Sequence, residues 1–432
     1  MKALRMFFQK PRTRALAIFV LILTLGIGLA LDLHFHGLIW QMFYATTGEE
    51  SPVKQMYGFV SYLGNLTRRQ PVTVTDTPFS PDLKPDNLFG VNTFLEEEPE
   101  SAKRERQLQM ISDAGFGWIR QQFRWDDIEI NGRGDFSDTR NGAAISAWDK
   151  YDNIVDLAAK YHINIIARLN SPPKWAQSQT PDLLPGFTPP ANDDDYANFA
   201  ATVAARYKGR IRYYQVWNEP NIYPEWGNQA ISPEDYTTLL CKAYHAIKTA
   251  DPNAIIISGA LAPTIELGPR NLSDTVFLQR LYAAGGGACF DILSAQGYGL
   301  FSGPTDQRMR ITTINFSHVL WLRDLMIANG NAAKPIWISE MAWNPVPDDG
   351  AITDRLNYGQ VTDAQAGRYA VEAYDRARRE WPFVGVISYW FFKQPDESEK
   401  SKSMYYFRLV DPDFTPRPVY GAISAYAKGA AK

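Results

Sequence analysis

The chain has 432 residues, 45% hydrophobic and 13% aromatic, enough to bury a large core and to close one barrel of about 250 residues with insertions. A formal net charge of −3 gives no basic footprint, so nucleic acid is not an expected partner. Five histidines without a His-Glu-x-x-His or Cys/His cluster, and no Gly-x-Ser-x-Gly elbow, leave no metal signature, no serine-hydrolase signature and no cofactor motif.

Residues 1–14 carry Lys2, Arg5, Lys10, Arg12 and Arg14 and no acid, and read as a cytoplasmic basic flank. The apolar run Ala15 to Leu31, closed by Asp32, sits at the short limit for a spanning helix of about 20 residues. It continues past Asp32, His34 and His36 to Tyr44, so residues 15–45 read as a transmembrane signal anchor and juxtamembrane segment. The basic flank keeps the N-terminus cytoplasmic, which puts the rest of the chain outside the cytoplasm and makes the lipid bilayer a partner. A signal peptide cleaved near Gly28-Leu29-Ala30, with secretion of the remainder, is the competing reading.

Residues 46–85 form an amphipathic stretch and a linker. Val53, Met56, Val60, Leu63 and Leu66 recur at helical spacing, predicting a helix that lies on the membrane, pairs with another copy or packs on its own domain. Gln70 to Asn87, with four prolines, reads as extended chain.

From residue 86 to 432, short apolar runs alternate with longer amphipathic ones, the pattern of repeated βα units. Strands are predicted at Leu88–Asn92, Gly117–Gln121, Ile163–Leu169, Ile211–Trp217, Ala254–Ser258, Phe290–Ser294, Pro335–Ser339 and Val384–Trp390. Helices are predicted to start near Ser101, Ser146, Asn192, Pro233, Ser273, Asn315, Asp363 and Arg417, several behind a capping residue. Eight pairs favour an α/β fold of the (β/α)8 TIM-barrel type over an open sheet. Cys241 and Cys289 can pair outside the cytoplasm or remain buried thiols.

The fourth run ends abruptly in Asn218-Glu219 before Pro220, and the seventh ends in Glu340. Taken alone, either is a strand stopped by polar residues, and the first has a proline-enforced turn behind it. Together they set two carboxylates at the C-terminal rim of one barrel, where active sites are built. Such a pair suits cleavage of a glycosidic bond, which needs a proton donor and a second carboxylate.

Trp217-Asn-Glu-Pro220 and Ile338-Ser-Glu-Met-Ala-Trp343 resemble clan A glycoside hydrolases, most like family 39 with its family 5 relatives, and the resemblance spans about residues 86–426. It implies that Glu219 is the general acid/base and Glu340 the nucleophile of a retaining double displacement on a β-linked oligo- or polysaccharide. It also implies that Asn218 bonds the sugar 2-hydroxyl, that Arg120 lies below the nucleophile, that Tyr298 donates to it and that Trp390 floors the subsite of the cleaved sugar. Gln296 stands where relatives carry His, which keeps hydrogen bonding but cannot titrate near neutrality. Trp175 and Trp343 are further cleft candidates, and Trp217 is expected to face the helices if Asn218 faces inward. The loop carboxylates Asp126, Asp127, Glu129 and Glu225 are read as solvated groups outside the site. A transglycosidase using the same two glutamates and a non-catalytic carbohydrate-binding barrel are the alternatives; oligomeric state has no signature here.

Overall fold

A computed structural model describes residues 11–177, 186–348, 350 and 352–430. Lys2, Arg5 and Lys10 of the basic flank and Asp349 of the loop after the seventh strand lie outside the described residues. The chain divides into two compact units, one of residues 1–69 with Thr305–Arg308, the other of 70–304 with 309–432.

The smaller unit is helical. Helix α1 spans Pro11–His34, α2 Leu38–Thr47 and α3 Pro52–Leu66. Within α1, Arg14–His34 is long and apolar enough to cross a membrane. Asp32 reaches forward to cap α2, its Oδ1 accepting the Trp40 N–H at 3.0 Å. Helix α2 ends at Gly48, whose left-handed φ of 64° closes the last turn. Phe43 then meets Phe59 with ring centroids 4.8 Å apart, which pairs α2 with α3. Arg308 is held in the same unit by Glu49 at 3.0 Å.

The larger unit is built on eight parallel strands: β1 Phe89–Thr93, β2 Trp118–Arg124, β3 Asn164–Asn170, β4 Tyr213–Val216, β5 Ile255–Ile257, β6 Leu293–Gln296, β7 Ile336–Met341 and β8 Val384–Tyr389. Their order in the sheet is β5-β4-β3-β2-β1-β8-β7-β6, and the bridges Ile257–Ile292 and Leu261–Ala295 link the two ends into a nearly closed barrel. Helices alternate with the strands: α4 Ser101–Asp113, α5 Asp149–Lys160, α6 Asp193–Arg206, α7 Pro233–Ala250, α8 Asp274–Ala283, α9 Val319–Ala328, α10 Asp363–Glu380 and α11 Pro418–Ala430. Asn192 and Ser232 cap α6 and α7 through their side chains, and Thr362 with Gln365 forms a capping box on α10. Cys241 of α7 is disulfide-bonded to Cys289.

Two strands differ from expectation. β2 runs on to Arg124 because Gln122 and Arg124 stay paired with Arg168 and Asn170 of β3, their polar side chains lining a cleft instead of ending the strand. β6 starts at Leu293 and reaches Gln296, which pairs with Glu340 across an irregularity in β7.

The barrel interior is filled by one inward side chain per turn of the pleat. Trp118, Ile166, Tyr213, Ile257, Ile292, Trp337 and Val386, with Ile255, form a single buried cluster. Polar tips on those rings must still find acceptors. They find them in the segment expected to be a linker: Trp337 Nε1 donates to Leu83 O at 2.8 Å, Tyr213 Oη to Asp82 O at 3.0 Å and Trp118 Nε1 to Asn87 O at 2.8 Å. The extended chain before β1 is thus fastened to the barrel, with Leu83 packed on the cluster. A Cβ on Gly385 would collide with the Trp337 indole, so a larger residue cannot sit there unless the ring moves.

Gly385→Ala should therefore destabilise the barrel by about 1–3 kcal/mol, the usual cost of overpacking a filled core. Arg212→Ala, which breaks an exposed pair to Asp82 and an exposed hydrogen bond to Asn253 O, should lower the thermal midpoint much less than Gly385→Ala. Thermal unfolding of the two variants side by side checks both.

Candidate active site

Strict alternation along β7 would point Trp337 and Ser339 inward and Glu340 outward. It does not hold to the end of the strand. Between Ile338 and Glu340, β7 carries one residue more than β6, and between Ile338 and Met341 one more than β8. This bulge re-aims Glu340 into the barrel mouth beside Ser339, whose Oγ bonds Ser294 Oγ. Glu340 is 5% exposed. Arg120 Nη1 donates to its Oε1 at 2.9 Å and Tyr298 Oη to its Oε2 at 2.7 Å.

β4 breaks its alternation by a different device. Tyr213 and Gln215 face inward, so Trp217 would follow them, but Trp217 adopts φ 72° and Glu219 φ 34°. This left-handed turn, costly for a bulky side chain, rotates Trp217 out of the barrel. Its ring packs near Tyr196 of α6 and its indole N–H donates to Glu225 O at 2.8 Å. Asn218 takes the inward place, and Glu219 follows it onto the wall of the mouth.

Arg120 ties the site together. It is 2% exposed and gives Nε to Gln215 Oε1 at 2.6 Å, Nη1 also to Asn92 Oδ1 at 2.8 Å, and Nη2 to Asn218 Oδ1 at 2.6 Å. Burial lowers its pKa to about 10, which still leaves it charged at neutral pH. Glu340 thus receives two hydrogen bonds, one of them from this cation. The environment of Glu219 does the reverse: burial first, then the charges of Glu340 and Glu225, lift its carboxyl well above the ordinary range. The Gln296 hydrogen bond, Nε2 to Glu219 Oε1 at 3.1 Å, and the Arg120 charge oppose that shift. Burial and the Glu340 charge likewise push the Tyr298 hydroxyl far up, so it remains a donor.

These groups open onto a cleft of about 800 Å³. Of the residues singled out from the sequence, Glu219, Glu340, Asn218, Tyr298 and Trp390 line it, while Arg120 and Gln296 support Glu340 and Glu219 by hydrogen bonds. The Trp390 Nε1 and the Gln296 Oε1 are buried with no hydrogen-bond partner among the described residues. Trp390 meets Phe94 edge-on at 5.7 Å between centroids, and the Trp390–Phe391 peptide is cis.

Three expected placements are corrected. Trp175 is not part of the cleft wall: the short turn Lys174–Ala176 carries it against Trp125 at 5.5 Å, and its indole N–H is spent on Glu129 O at 2.8 Å. Trp343 is likewise core, 1% exposed and bonded to Ser302 O. Glu225, expected to be a solvated loop group, lines the cleft instead. Burial pushes its carboxyl up to about 7 against the pull of Arg168 and of a hydrogen bond from Asn218. The other loop acids are paired as structural groups, Asp126 with Arg124, Asp127 with Arg140, Lys150 and Tyr151, and Glu129 with the Trp125 indole.

Sequence reasoning also passed over Asn92, Gln215, Arg168 and Gln122. A signal for them existed: each is a polar residue on the inward register of a barrel strand, a position that should be apolar unless it serves the site. Glu225 has no such signal, because a six-residue turn after Glu219 returns it to the cleft, fixed by Trp217 and by Asn221, whose Nδ2 donates to Ala262 O and Leu272 O.

Comparison with known proteins bears on this constellation. Residues 73–274 match the model of cellulase, glycosyl hydrolase family 5. That match includes Arg120, Asn218 and Glu219 and ends before Gln296, Tyr298, Glu340 and Trp390. No curated relative matches the chain. Among solved structures, a family 39 glycoside hydrolase from the gut symbiont Bacteroides cellulosilyticus WH2 superposes with a TM-score of 0.57 at 19% identity, over 81% of this chain and 64% of that one. A family 39 beta-xylosidase from Caulobacter crescentus gives 0.54 at 18% identity, over 82% and 72%. GH5_18 from Streptomyces cattleya, in complex with GlcNAc, gives 0.56 at 16% identity, over 83% and 82%. The chain spans less than two thirds of the first of these proteins. Residues 73–274 thus resemble family 5 glycosyl hydrolases, and the barrel fold is shared with these family 39 and family 5 enzymes.

Because Glu219 keeps its proton above the range of an unfolded glutamate, its protonated form stabilises the fold and that stability fades as pH rises from about 4.5 toward the folded value. Glu219→Gln should remove this slope and raise the thermal midpoint at pH 7 relative to the unmodified chain. Glu340→Gln removes the neighbouring charge and should lower the Glu219 pKa, read by carboxyl-carbon NMR titration.

Proposed function

We propose that this protein is a membrane-anchored, extracytoplasmic, retaining glycoside hydrolase that cleaves O-glycosidic bonds of a β-linked oligo- or polysaccharide. The observation that carries the reading is the contrast between the two rim carboxyls: Glu340 is hydrogen-bonded by Arg120 and Tyr298, while burial and then the Glu340 charge raise the Glu219 carboxyl well above the ordinary range.

In the first step Glu340 attacks the anomeric carbon while Glu219 gives its proton to the departing glycosidic oxygen, leaving a glycosyl ester on Glu340. Forming the ester removes the Glu340 charge. The main electrostatic cause of the raised Glu219 pKa goes with it, and Glu219, now ionised, takes a proton from water as that water attacks the anomeric carbon. Cleavage of the ester restores both residues. Gln296 donates to Glu219 throughout, an interaction that favours its ionised form and suits the second step. Asn218 is fixed by Arg120 beside both carboxyls, a position suited to a substrate hydroxyl, and Trp390 offers a ring face to a sugar.

The location rests on two features. The Arg14–His34 helix follows a basic flank, which favours a cytoplasmic N-terminus, and the Cys241–Cys289 disulfide suits an oxidising compartment.

Glu340→Ala should abolish turnover of an aryl β-glycoside, and azide should restore part of it with inverted product; an absence of rescue counts against the nucleophile role. Glu219→Ala should spare formation of the glycosyl ester from substrates with activated leaving groups while crippling natural linkages. Tyr298→Phe, which removes one hydrogen bond to a charged group, should lower kcat by about 10- to 100-fold. Glu225→Gln should shift the acid limb or the basic limb of the kcat/KM profile near pH 7 and leave the Glu340→Ala rescue intact.

A further inference from the structure

Helix α3 is amphipathic in the inverted sense. Its buried positions are Gln55, Gly58 and Asn65, while Val53, Met56, Tyr57, Val60, Leu63 and Leu66 are between 48% and 76% exposed. Burial of the polar stripe has a reason: Gln55 Nε2 donates to Trp40 O at 3.3 Å, and Gly58 packs on the Thr47 side chain, so this face of α3 seats α2. The consequence is an apolar face about 22 Å long, from its 15 residues at 1.5 Å each, that faces away from the unit. A soluble surface does not carry such a stripe without a partner.

The surroundings of the stripe select the partner. α2 starts only four residues after α1 ends, and Phe35, Leu38 and Met42 at that junction are exposed as well, at 74%, 82% and 49%. Exposed apolar side chains are therefore present on all three helices of the unit, from the apolar helix α1 through α2 to α3. A second copy seated on α3 would leave the rest of them in water; a bilayer covers all of them at once. Trp40, Tyr44, Tyr57 and Tyr62 supply the amphipathic rings found at the headgroup level, and Lys54, Arg68 and Arg69 flank the stripe with positive charge suited to anionic lipid.

We infer that α2 and α3 form an interfacial hairpin, with the Val53–Leu66 face of α3 lying in the headgroup and acyl boundary of an anionic bilayer. This rests on the reading of α1 as a membrane helix. The full chain is reconstituted into phosphatidylethanolamine and phosphatidylglycerol vesicles, and resistance to alkaline carbonate is scored first, so that loss of the α1 anchor is seen separately. In the resistant fraction, Val60→Cys and Met56→Cys each carry an environment-sensitive fluorophore, with Lys208→Cys on the barrel surface as the aqueous reference; the native cysteines are bonded to each other and do not label. The expected result is blue-shifted emission at 56 and 60, quenching by spin-labelled acyl chains at a depth of about 5–10 Å below the headgroups, and loss of iodide quenching relative to 208. Iodide quenching equal to that at 208, with no lipid quenching, overturns the inference. Shielding that depends on protein density in the vesicle, again without lipid quenching, also overturns it and assigns the face to a second copy. Both labelled positions are exposed, so neither change disturbs the packing of α3 on α2.

Discussion

One buried cation organises the barrel mouth. Arg120 rises from the middle of β2 into a space where it contacts four side chains from β1, β4, the turn after β4 and β7. A guanidinium removed from water is tolerated only if it is paired and fully hydrogen-bonded, and Glu340 is its partner at 2.9 Å. Burial first, and then the charge of Glu340, raise the second carboxyl, Glu219, above the ordinary range, and the Arg120 Nη2 donor fixes Asn218 beside it. Positioning and protonation thus have a common source, and removing the cation would disturb both.

The strand ends show how the fold accommodates this cluster. A regular parallel strand offers one inward residue in two, which is too sparse for Asn218 next to Glu219 or Ser339 next to Glu340. Both strands solve it by abandoning regular geometry at their last residues, β4 through left-handed backbone at Trp217 and Glu219, β7 through a bulge. The irregular backbone is held by contacts outside the cluster: the Trp217 indole is bonded to the carbonyl of Glu225, and Ser339 to Ser294. Strain of this kind persists only where surrounding structure over-determines it. Glu225 reaches the cleft wall through the same turn.

The smaller unit follows the opposite logic from the barrel. On α3 the polar Gln55 and Asn65 are inside, and the apolar Val53, Met56, Val60, Leu63 and Leu66 are outside. In water this would be unfavourable; at a bilayer surface, as inferred above, it is the favourable arrangement. The disulfide in the larger unit and the apolar N-terminal helix are consistent with one compartment.

The barrel was legible from periodicity because each βα unit buries its face locally, so strand and helix signals survive without knowledge of neighbours. Eight such units, and glutamates at the ends of the fourth and seventh strands, were enough to place Glu219 and Glu340 at one rim; Arg120, Asn218, Tyr298 and Trp390 were associated with them only through the resemblance to clan A glycoside hydrolases. Trp175 and Glu225 were misplaced for a shared reason: loops carry no period, so the path that takes Trp175 onto Trp125 and returns Glu225 to the cleft is set by long-range hydrogen bonds. The pairing of Cys241 with Cys289 and the fastening of residues 82–87 to the barrel base were also decided only by tertiary contact. The sequence by itself determined which residue types stand at the strand ends. Which way they point was decided by the bulge in β7 and the left-handed turn after β4, since alternation alone would have turned Glu340 outward and Trp217 inward.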